Sequence, residues 1–234
     1  MHKVESFLTK MSMSDPVGIV VIGCGGTGSH VIGQLVDVHH AMKSQGHPGI
    51  RVTAYDDDIV TPGNVGRQLF YQQDIGKYKC EVLIERINLH YGYDWHYYQA
   101  KFGEDAVRTY QDITICCVDT KVSRRAIRDS FNESQHKKRY IIECGNERHS
   151  GQVILGQING ELPNPYDEYP ELTKGKEPKG EGCLDPYLKQ DLSVNRQVAT
   201  WVQKIIWNLL RKTEISYRGV FFNDANFSCN GIPA

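Results

Sequence analysis

"VIGCGGTGSHV", residues 21–31, places four glycines between positions 23 and 28, directly after an apolar run. A turn by itself needs only one or two glycines, so this density indicates that a ligand approaches the main chain closely. The run at 17–23 predicts a buried strand, and the segment at 27–43 predicts a helix. A glycine loop between strand and helix presents backbone N–H groups to a phosphate. A glycine-rich turn without a ligand is the alternative.

The other apolar runs alternate with segments of helical length. Further strands are predicted at 50–56, 94–100, 112–119, 139–145, 151–158 and 215–223, and further helices at 79–91, 121–134 and 188–212. This alternation, with continuously apolar strands, predicts an α/β fold: a Rossmann-like, doubly wound, mostly parallel sheet covered by helices on both faces. The later strands, near 151–158 and 215–223, are expected to be antiparallel and to make the C-terminal part mixed.

The composition changes after residue 158. We expect one domain over 1–234, with a nucleotide-binding core at 17–158. Proline, glycine and charged residues dominate 159–182, which predicts a mobile, crossover-like loop. Residues 183–234 then supply a C-terminal helix and strand. The apolar face of 194–210 is longer than one small sheet obviously needs, which predicts a homodimer.

Charge and hydropathy exclude several classes of function. The 234 residues carry a formal net charge of −1, which gives no electrostatic case for binding nucleic acid or an anionic membrane. No window approaches the roughly 18 apolar residues of a membrane span, and residues 1–18 lack the apolar region of a signal peptide. The seven cysteines form no regular framework, which is typical of a reducing compartment. We therefore expect a cytoplasmic protein.

The polar loop after the second predicted strand indicates which nucleotide binds, ATP or NAD. Asp56 ends that strand, where an acidic residue that binds ribose is expected. Arg67 and Lys79 follow within 55–79. A dehydrogenase has no use for two cations here, whereas an enzyme that acts on a nucleoside triphosphate neutralises the phosphates with them. The loop favours ATP. An NAD-dependent oxidoreductase is the alternative, as are plain surface charges at both positions.

Four motifs occur together: "GCGGTGS" (23–29), "DDDIVTPGNVGRQ" (56–68), a lysine that begins a helix, and "CCVDTKVSR" (116–124). In this order they resemble the ThiF/MoeB family, the ubiquitin-activating-type adenylyltransferases. The resemblance covers roughly 17–158, and "KQDLSVN" (189–195) is similar to the small ThiF-type proteins of bacterial PRTRC systems. It implies ATP- and Mg²⁺-dependent adenylation of the C-terminal carboxylate of a small ubiquitin-like or sulfur-carrier protein, by an enzyme that is commonly a homodimer.

The resemblance also implies a role for each residue of the motifs. Those that would border the phosphates and the acyl-adenylate are Gly23, Gly25, Gly26 and Gly28. Asp56 would hold the ribose, and Asp58 would support the loop. The residues that would grip the triphosphate are Asn64, Arg67, Gln68 and Lys79. Asp119 would bind Mg²⁺, with Arg124 near the same site.

Two of the chain's departures from the family pattern concern metal binding. Thr120 stands where the family usually has asparagine after the Mg²⁺ aspartate. An alternative for Asp119 itself is a helix cap, since a helix is predicted to begin near Lys121. The chain also contains no CxxC pair, so we expect no structural zinc of the type that many relatives carry.

Some relatives pass the acyl group from the adenylate to a cysteine. Cys183 is the candidate here, because it ends the 159–182 loop just before a possible helix start, where a thiol pKa is lowered. Cys80 is its rival, because it neighbours Lys79. An incidental thiol and an enzyme that stops at the adenylate are both open alternatives. A third class of function is a non-catalytic partner that keeps the nucleotide fold.

Overall fold

The structure, a computed structural model, describes residues 1–9, 15–103, 111–132, 138–175 and 191–234. Its strands are β1 (His2–Lys3), β2 (Val17–Ile22), β3 (Ile50–Tyr55), β4 (His96–Tyr98), β5 (Ile113–Cys116), β6 (Arg139–Asn146), β7 (Ser150–Ile158), β8 (Glu214–Ile215), β9 (Tyr217–Asn223) and β10 (Ser228–Pro233). Its α-helices are α1 (Ser6–Thr9), α2 (Gly26–Lys43), α3 (Lys79–Tyr91), α4 (Lys121–Asn132), α5 (Pro165–Glu168) and α6 (Val194–Arg211).

Eight of the strands form one sheet in the order β10-β9-β7-β6-β5-β2-β3-β4. The five strands from β6 to β4 are parallel, whereas β7, β9 and β10 pair antiparallel. The remaining two strands, β1 and β8, form a separate small antiparallel pair. The predicted α/β fold, a mostly parallel sheet with an antiparallel C-terminal part, is confirmed.

Strand β2 lies at the centre of the parallel part. All six of its residues are buried, and its last residue, Ile22, is in register with Tyr55 of β3 and Cys116 of β5. The chain continues to one side of β2 through β3 and β4, and to the other side through β5 and β6. The carboxyl ends of β2 and β5 therefore flank the point where the strand order reverses, which is where open α/β sheets bind ligands.

Helices cover both faces of the sheet. The larger core cluster joins β2 to the buried faces of α2, α3 and α6. The second cluster lies on the opposite face, where Ile127 of α4 and Tyr166 of α5 pack with Val20 and Ile22. Within the described residues, no helix combines the length and hydropathy that a membrane span requires.

The apolar face of α6 is covered by the chain itself. Val198, Val202, Ile206 and Leu209 are fully buried, and the helix packs on β7 and α2. The antiparallel strands enlarge the sheet that the helix covers, so the length of this face gives no argument for a second copy of the chain. The homodimer itself stays a prediction.

Two further boundaries differ from the sequence expectation. The stretch 159–182 is not a plain loop in its described part, since it contains α5 and a 3₁₀ turn at Pro170–Leu172. The last helix was expected from 188, but residues 191–193 are not helical and α6 begins at Val194. Strand β10 was not predicted, because its sequence, SCNGIP, alternates neither in hydropathy nor in burial.

Candidate active site

A cleft of about 1770 Å³ opens at the carboxyl edge of the parallel strands. It collects all but two of the site residues predicted from the sequence: Gly23, Gly25, Gly26, Asp56, Asp58, Asn64, Arg67, Gln68, Lys79, Asp119 and Arg124. Of the other two, Gly28 packs beneath the glycine loop, and Cys183 lies outside the described residues. Residues from four separate segments of the chain are thus brought to one cavity.

The glycines of the loop serve different purposes. Gly23 has a φ of +90°, and a Cβ there would lie 2.8 Å from the carbonyl oxygen of Cys117. A Cβ at Gly28 would lie 1.8 Å from the carbonyl oxygen of Gly23. At Gly25, by contrast, an added Cβ would meet nothing within 4 Å. Gly23 and Gly28 are therefore required by the fold, whereas Gly25 leaves open space for a ligand.

Asp56 joins the end of β3 to the glycine loop. One carboxylate oxygen, Oδ2, accepts a hydrogen bond from the backbone N–H of Cys24. The other, Oδ1, accepts from the N–H of Asp58 at 2.9 Å. Burial raises the pKa of Asp56, although both hydrogen bonds oppose that rise. The carboxylate keeps further lone pairs for a ligand, since each oxygen accepts more than one hydrogen bond.

Lys79 begins α3 and is held at the cleft by Asp58. Its Nζ lies 2.7 Å from Asp58 Oδ2, and its backbone N–H donates to Asp58 O at 3.0 Å. The Lys79 side chain is only 9% exposed, whereas that of Asp58 is 66% exposed. The lysine is therefore a buried cation with a solvated counterion. Asp58 thus contacts Lys79 through both its side chain and its main chain.

The turn before Arg67 has local hydrogen bonds of its own. Asn64 Oδ1 accepts from the N–H of Thr61 at 2.8 Å, so this side chain stabilises the 3₁₀ turn at Pro62–Asn64. Arg67 Nε and Gln68 Oε1 are both buried and find no hydrogen-bond partner among the described residues. Buried polar atoms in native proteins are nearly always paired. These two atoms leave this wall of the cleft able to bind a polar ligand.

Asp119 is free to serve the cleft because another residue caps α4. Thr120 Oγ1 accepts from the N–H of Ser123 at 3.1 Å, and Thr120 O accepts from the N–H of Arg124. The helix cap is therefore Thr120 and not Asp119. The Asp119 carboxylate is exposed and makes no hydrogen bond or ion pair with any described residue.

Arg124 reaches the cleft, but its charge is already paired. Its Nε lies 2.6 Å from Oε1 of Glu143, a side chain with no exposed surface. Tyr166 Oη donates to the other oxygen, Oε2, at 2.7 Å. Burial raises the pKa of Glu143, and Arg124 opposes that rise. Sequence reasoning missed Glu143, although a single charged residue inside the apolar run 140–144 was a usable signal.

A second group that sequence reasoning missed joins three segments at the cleft. Asn146 Nδ2 donates to Thr27 Oγ1 at 2.8 Å and to Asn195 Oδ1 at 2.7 Å, and Thr27 Oγ1 donates to Asn195 Oδ1 at 3.0 Å. Asn195 also lies directly over Gly26, where a Cβ would be 2.8 Å from Asn195 Nδ2. The first turn of α2 is therefore fixed to the end of β6 and the start of α6. No local pattern in the sequence predicts this link.

The sequence matches a known protein family over most of its length. A model described as the ThiF family matches residues 10–182, which is more than half of the chain. The chain belongs to the ThiF family. No curated protein matches the sequence significantly.

Several solved structures share the fold of this ThiF-family chain. PaaA is 13% identical to this chain with a TM-score of 0.65, and the match covers 93% of this chain and 64% of PaaA. Escherichia coli MccB solved with ATP is 15% identical with a TM-score of 0.64, covering 93% and 63%. MccB in complex with N-formylated MccA is 16% identical with a TM-score of 0.65, covering 93% and 64%. The chain thus spans less than two thirds of these proteins, and at such identities the likeness shows the fold.

Burial disfavours two cysteines near the cleft of this ThiF-family chain, Cys24 and Cys80, as nucleophiles. Cys80 is buried, and burial together with the charge of Asp56 raises its pKa to about 12. Lys79, the neighbour that made Cys80 a candidate, is paired with Asp58. Burial raises the pKa of Cys24 as well. Neither Cys24 nor Cys80 is therefore favoured as a thiolate acceptor.

Proposed function

We propose that this chain binds ATP with Mg²⁺ in the cleft and adenylates the C-terminal carboxylate of a small ubiquitin-like or sulfur-carrier protein. The observation that carries the proposal is the pair of buried, unpartnered atoms, Arg67 Nε and Gln68 Oε1, in the wall of a cleft that also contains Lys79 and the glycine loop. A triphosphate and its ribose supply the acceptors and donors that this wall lacks.

The glycine loop supports binding of the phosphates. The first N–H groups of α2 have no partner four residues earlier in the helix, and they lie at its positive end. The N–H of Cys24 is already bonded to Asp56, so the first turn of α2 itself is the anion site. The open space at Gly25 lets the ligand approach that turn. Asp56, at the end of β3, is positioned to accept from the ribose hydroxyls.

Asp119 suits a magnesium ion that arrives with the nucleotide. Mg²⁺ is usually held by one or two carboxylates together with substrate phosphates and water, so a cage of protein ligands is not needed. The exposed, unpaired carboxylate of Asp119 in the cleft fits that requirement. The bound ion would supply charge neutralisation on the phosphates. Arg67 and Lys79, which lie in the segment after β3, would neutralise phosphate charge in the same way.

The proposed reaction needs positioning more than acid–base chemistry. An oxygen of the partner's carboxylate attacks the α-phosphorus of ATP, and the bond from that phosphorus to the bridging oxygen of the β-phosphate breaks. The products are an acyl-adenylate and pyrophosphate. The carboxylate is already ionised at neutral pH, so no general base is required. Subsequent transfer of the acyl group to Cys183 is part of the proposal, with release of AMP as that thioester forms.

The partner side of the proposal is supported by the shape of the cleft. Beyond the glycine loop the cleft continues along β7, β9 and β10, where amide side chains line it: Gln152, Asn223 and Asn230. Amides donate to and accept from a peptide backbone, so this extension suits an extended C-terminal tail. The MccB structures with ATP and with N-formylated MccA lend support from a protein of the same fold. A homodimeric assembly and a cytoplasmic setting complete the proposal, on the family resemblance and the cysteine usage.

Exchange of labelled pyrophosphate into ATP, in the presence of Mg²⁺ and purified candidate carrier proteins, tests the proposed function. We expect exchange that depends on a carrier with a free C-terminal carboxylate. Arg67→Ala and Asp119→Ala should lower exchange far more than they weaken ATP binding, since both act on charge that develops in the transition state. Arg51→Ala, on an exposed position of β3 outside the cleft, is the matched control. Full turnover in both site variants would contradict the assigned mechanism.

A further inference from the structure

Glu143 is a carboxylate buried beneath the cleft. Its side chain has no exposed surface, and it stands in β6 between apolar neighbours. An isolated buried carboxylate is strongly unfavourable unless it is paired and hydrogen-bonded. Both oxygens of Glu143 meet that condition, one with Arg124 at 2.6 Å and the other with the Tyr166 hydroxyl at 2.7 Å.

Arg124 carries the effect of Glu143 to the rim of the cleft. Besides the ion pair, its Nη1 donates to the backbone oxygen of Asp119 at 3.4 Å, and its Nη2 donates to that of Cys144 at 3.4 Å. The guanidinium therefore bridges the segment after β5 to the end of β6. The first of these contacts is made to the main chain of the residue whose carboxylate faces the cleft.

The ion pair also determines which carboxylate neutralises the charge of Arg124. With Glu143 ionised, the guanidinium is neutralised within the protein and leaves the Asp119 carboxylate unpaired. Without that negative charge, Arg124 would be able to turn to the Asp119 carboxylate, since the guanidinium already contacts the Asp119 main chain. An Arg124–Asp119 pair would compete with any cation for the same carboxylate.

We propose that Glu143 is a positioning residue for the magnesium site: by holding Arg124, it fixes the main chain of Asp119 and keeps the Asp119 carboxylate available to Mg²⁺. The inference rests on the proposed function, because it assumes that Asp119 meets Mg²⁺–ATP. It adds a residue outside the family motifs, which acts through Arg124 without touching the nucleotide. Partners of this second layer commonly change metal affinity by about 10–100-fold when they are removed.

The chain offers a matched control for Glu143→Gln. Arg218 Nη2 lies 2.6 Å from both carboxylate oxygens of Glu168, and the Arg218 side chain is 5% exposed. Neither residue lines the cleft. Glu168→Gln therefore removes a comparable charge pair at a distance from the nucleotide, and it separates a loss of stability from an effect on the metal.

Calorimetric binding of an ATP analogue with a non-cleavable α–β linkage, titrated at a series of Mg²⁺ concentrations, tests the inference. For Glu143→Gln we expect the half-saturating Mg²⁺ concentration to rise about tenfold or more, with binding in the absence of Mg²⁺ unchanged or tighter. Glu168→Gln should lower the melting temperature and keep the wild-type Mg²⁺ dependence. Wild-type Mg²⁺ dependence in Glu143→Gln would overturn the inference.

Tyr166→Phe covers the case in which Glu143→Gln does not fold. This variant removes one hydrogen bond to Glu143 and keeps the charge, so we expect a smaller rise in the same direction, and no rise would overturn the inference. The wild-type titration distinguishes a failure of the proposed function from a failure of the inference about Glu143. Analogue binding that is independent of Mg²⁺ in the wild type would overturn the proposed function and this inference with it.

Discussion

Lys79 and Asp58 form an ion pair at the mouth of the cleft, with Nζ and Oδ2 2.7 Å apart. The pair is asymmetric, since the lysine is almost fully buried and the aspartate is largely solvated. Water and salt screen the exposed partner, so the pair itself adds little stability. Its consequence is positional: a cation is held beside the glycine loop before any nucleotide arrives.

Replacing Lys79 should therefore affect the nucleotide more than the fold. Lys79→Met removes a charged hydrogen bond to phosphate, for which we expect a loss of about 1.5–3 kcal/mol, or tenfold and more in ATP affinity. Asp58→Asn should change the free energy of unfolding by less than about 1 kcal/mol. Calorimetry with ATP and thermal unfolding measure the two effects. Equal ATP affinity in Lys79→Met and wild type would remove the lysine from the site.

The two glycines Gly25 and Gly28 predict opposite outcomes for the same substitution. Gly28→Ala places a Cβ against the backbone of Gly23, which cannot move aside, so we expect destabilisation of about 3 kcal/mol or more. Gly25→Ala meets nothing in the free protein, so its melting temperature should stay close to that of the wild type. Its ATP affinity should nevertheless fall, because the methyl group occupies space that the phosphates need. A Gly25→Ala protein that binds ATP normally would show that the ligand lies elsewhere.

Asp56 predicts the pH dependence of nucleotide binding. Burial raises its pKa, so the carboxylate takes up a proton at a higher pH than an ordinary aspartate does. Because the protonated acid accepts from ribose less well, ATP affinity should fall as the pH decreases, with a midpoint above the ordinary range of aspartate. Asp56→Asn should bind ATP more weakly near neutral pH and lose this dependence. The two curves are compared by titration, with corrections for the protonation of ATP itself. Parallel curves would exclude Asp56 as the source.

Alkylation rates separate the cysteines by environment. At a pKa of about 12, Cys80 is thiolate in only about one part in ten thousand near pH 8, and it is also buried. Cys229 is exposed. We expect iodoacetamide to label Cys229 rapidly in the folded protein and Cys80 only after unfolding, as followed by peptide mass spectrometry. Labelling of Cys80 at the rate of Cys229 would restore it as a candidate acceptor.

The thioester step depends on Cys183, which lies outside the described residues. If Cys183 accepts the acyl group, carrier protein and ATP give an adduct that thiols release. Cys183→Ser should abolish that adduct or convert it to a stable ester, while pyrophosphate exchange continues. An unchanged, thiol-sensitive adduct in Cys183→Ser would contradict this assignment.

The parts of the fold that sequence predicted well are those with a local cause. Strand β2 is apolar along its whole length because both of its faces are covered. The glycine loop follows it directly. Asp56 and Asp119 follow β3 and β5, the two parallel strands that flank β2, so their meeting at one edge of the sheet follows from topology. These features need only the chain order and the period of the hydrophobic residues.

The parts that were missed depend on distant pairs or on weak local patterns. The link between Thr27 and Asn195 joins positions 168 residues apart. Strand β10 is a largely exposed edge strand, and its sequence lacks the alternation of apolar and polar residues that would predict a strand. The covered face of α6 illustrates the same limit, since an apolar stripe predicts burial without saying which surface provides it.

The central claim is that the cleft forms an acyl-adenylate from ATP. Its most direct test is mass spectrometry of a candidate carrier protein after incubation with this chain, ATP and Mg²⁺, with inorganic pyrophosphatase present to draw the reaction forward. The account predicts that the carrier's C-terminal residue gains the mass of AMP less one water, and that a carrier with an amidated C-terminus does not. Tight binding of NADH, together with no ATP binding and no adenylate on any cognate carrier, would contradict it.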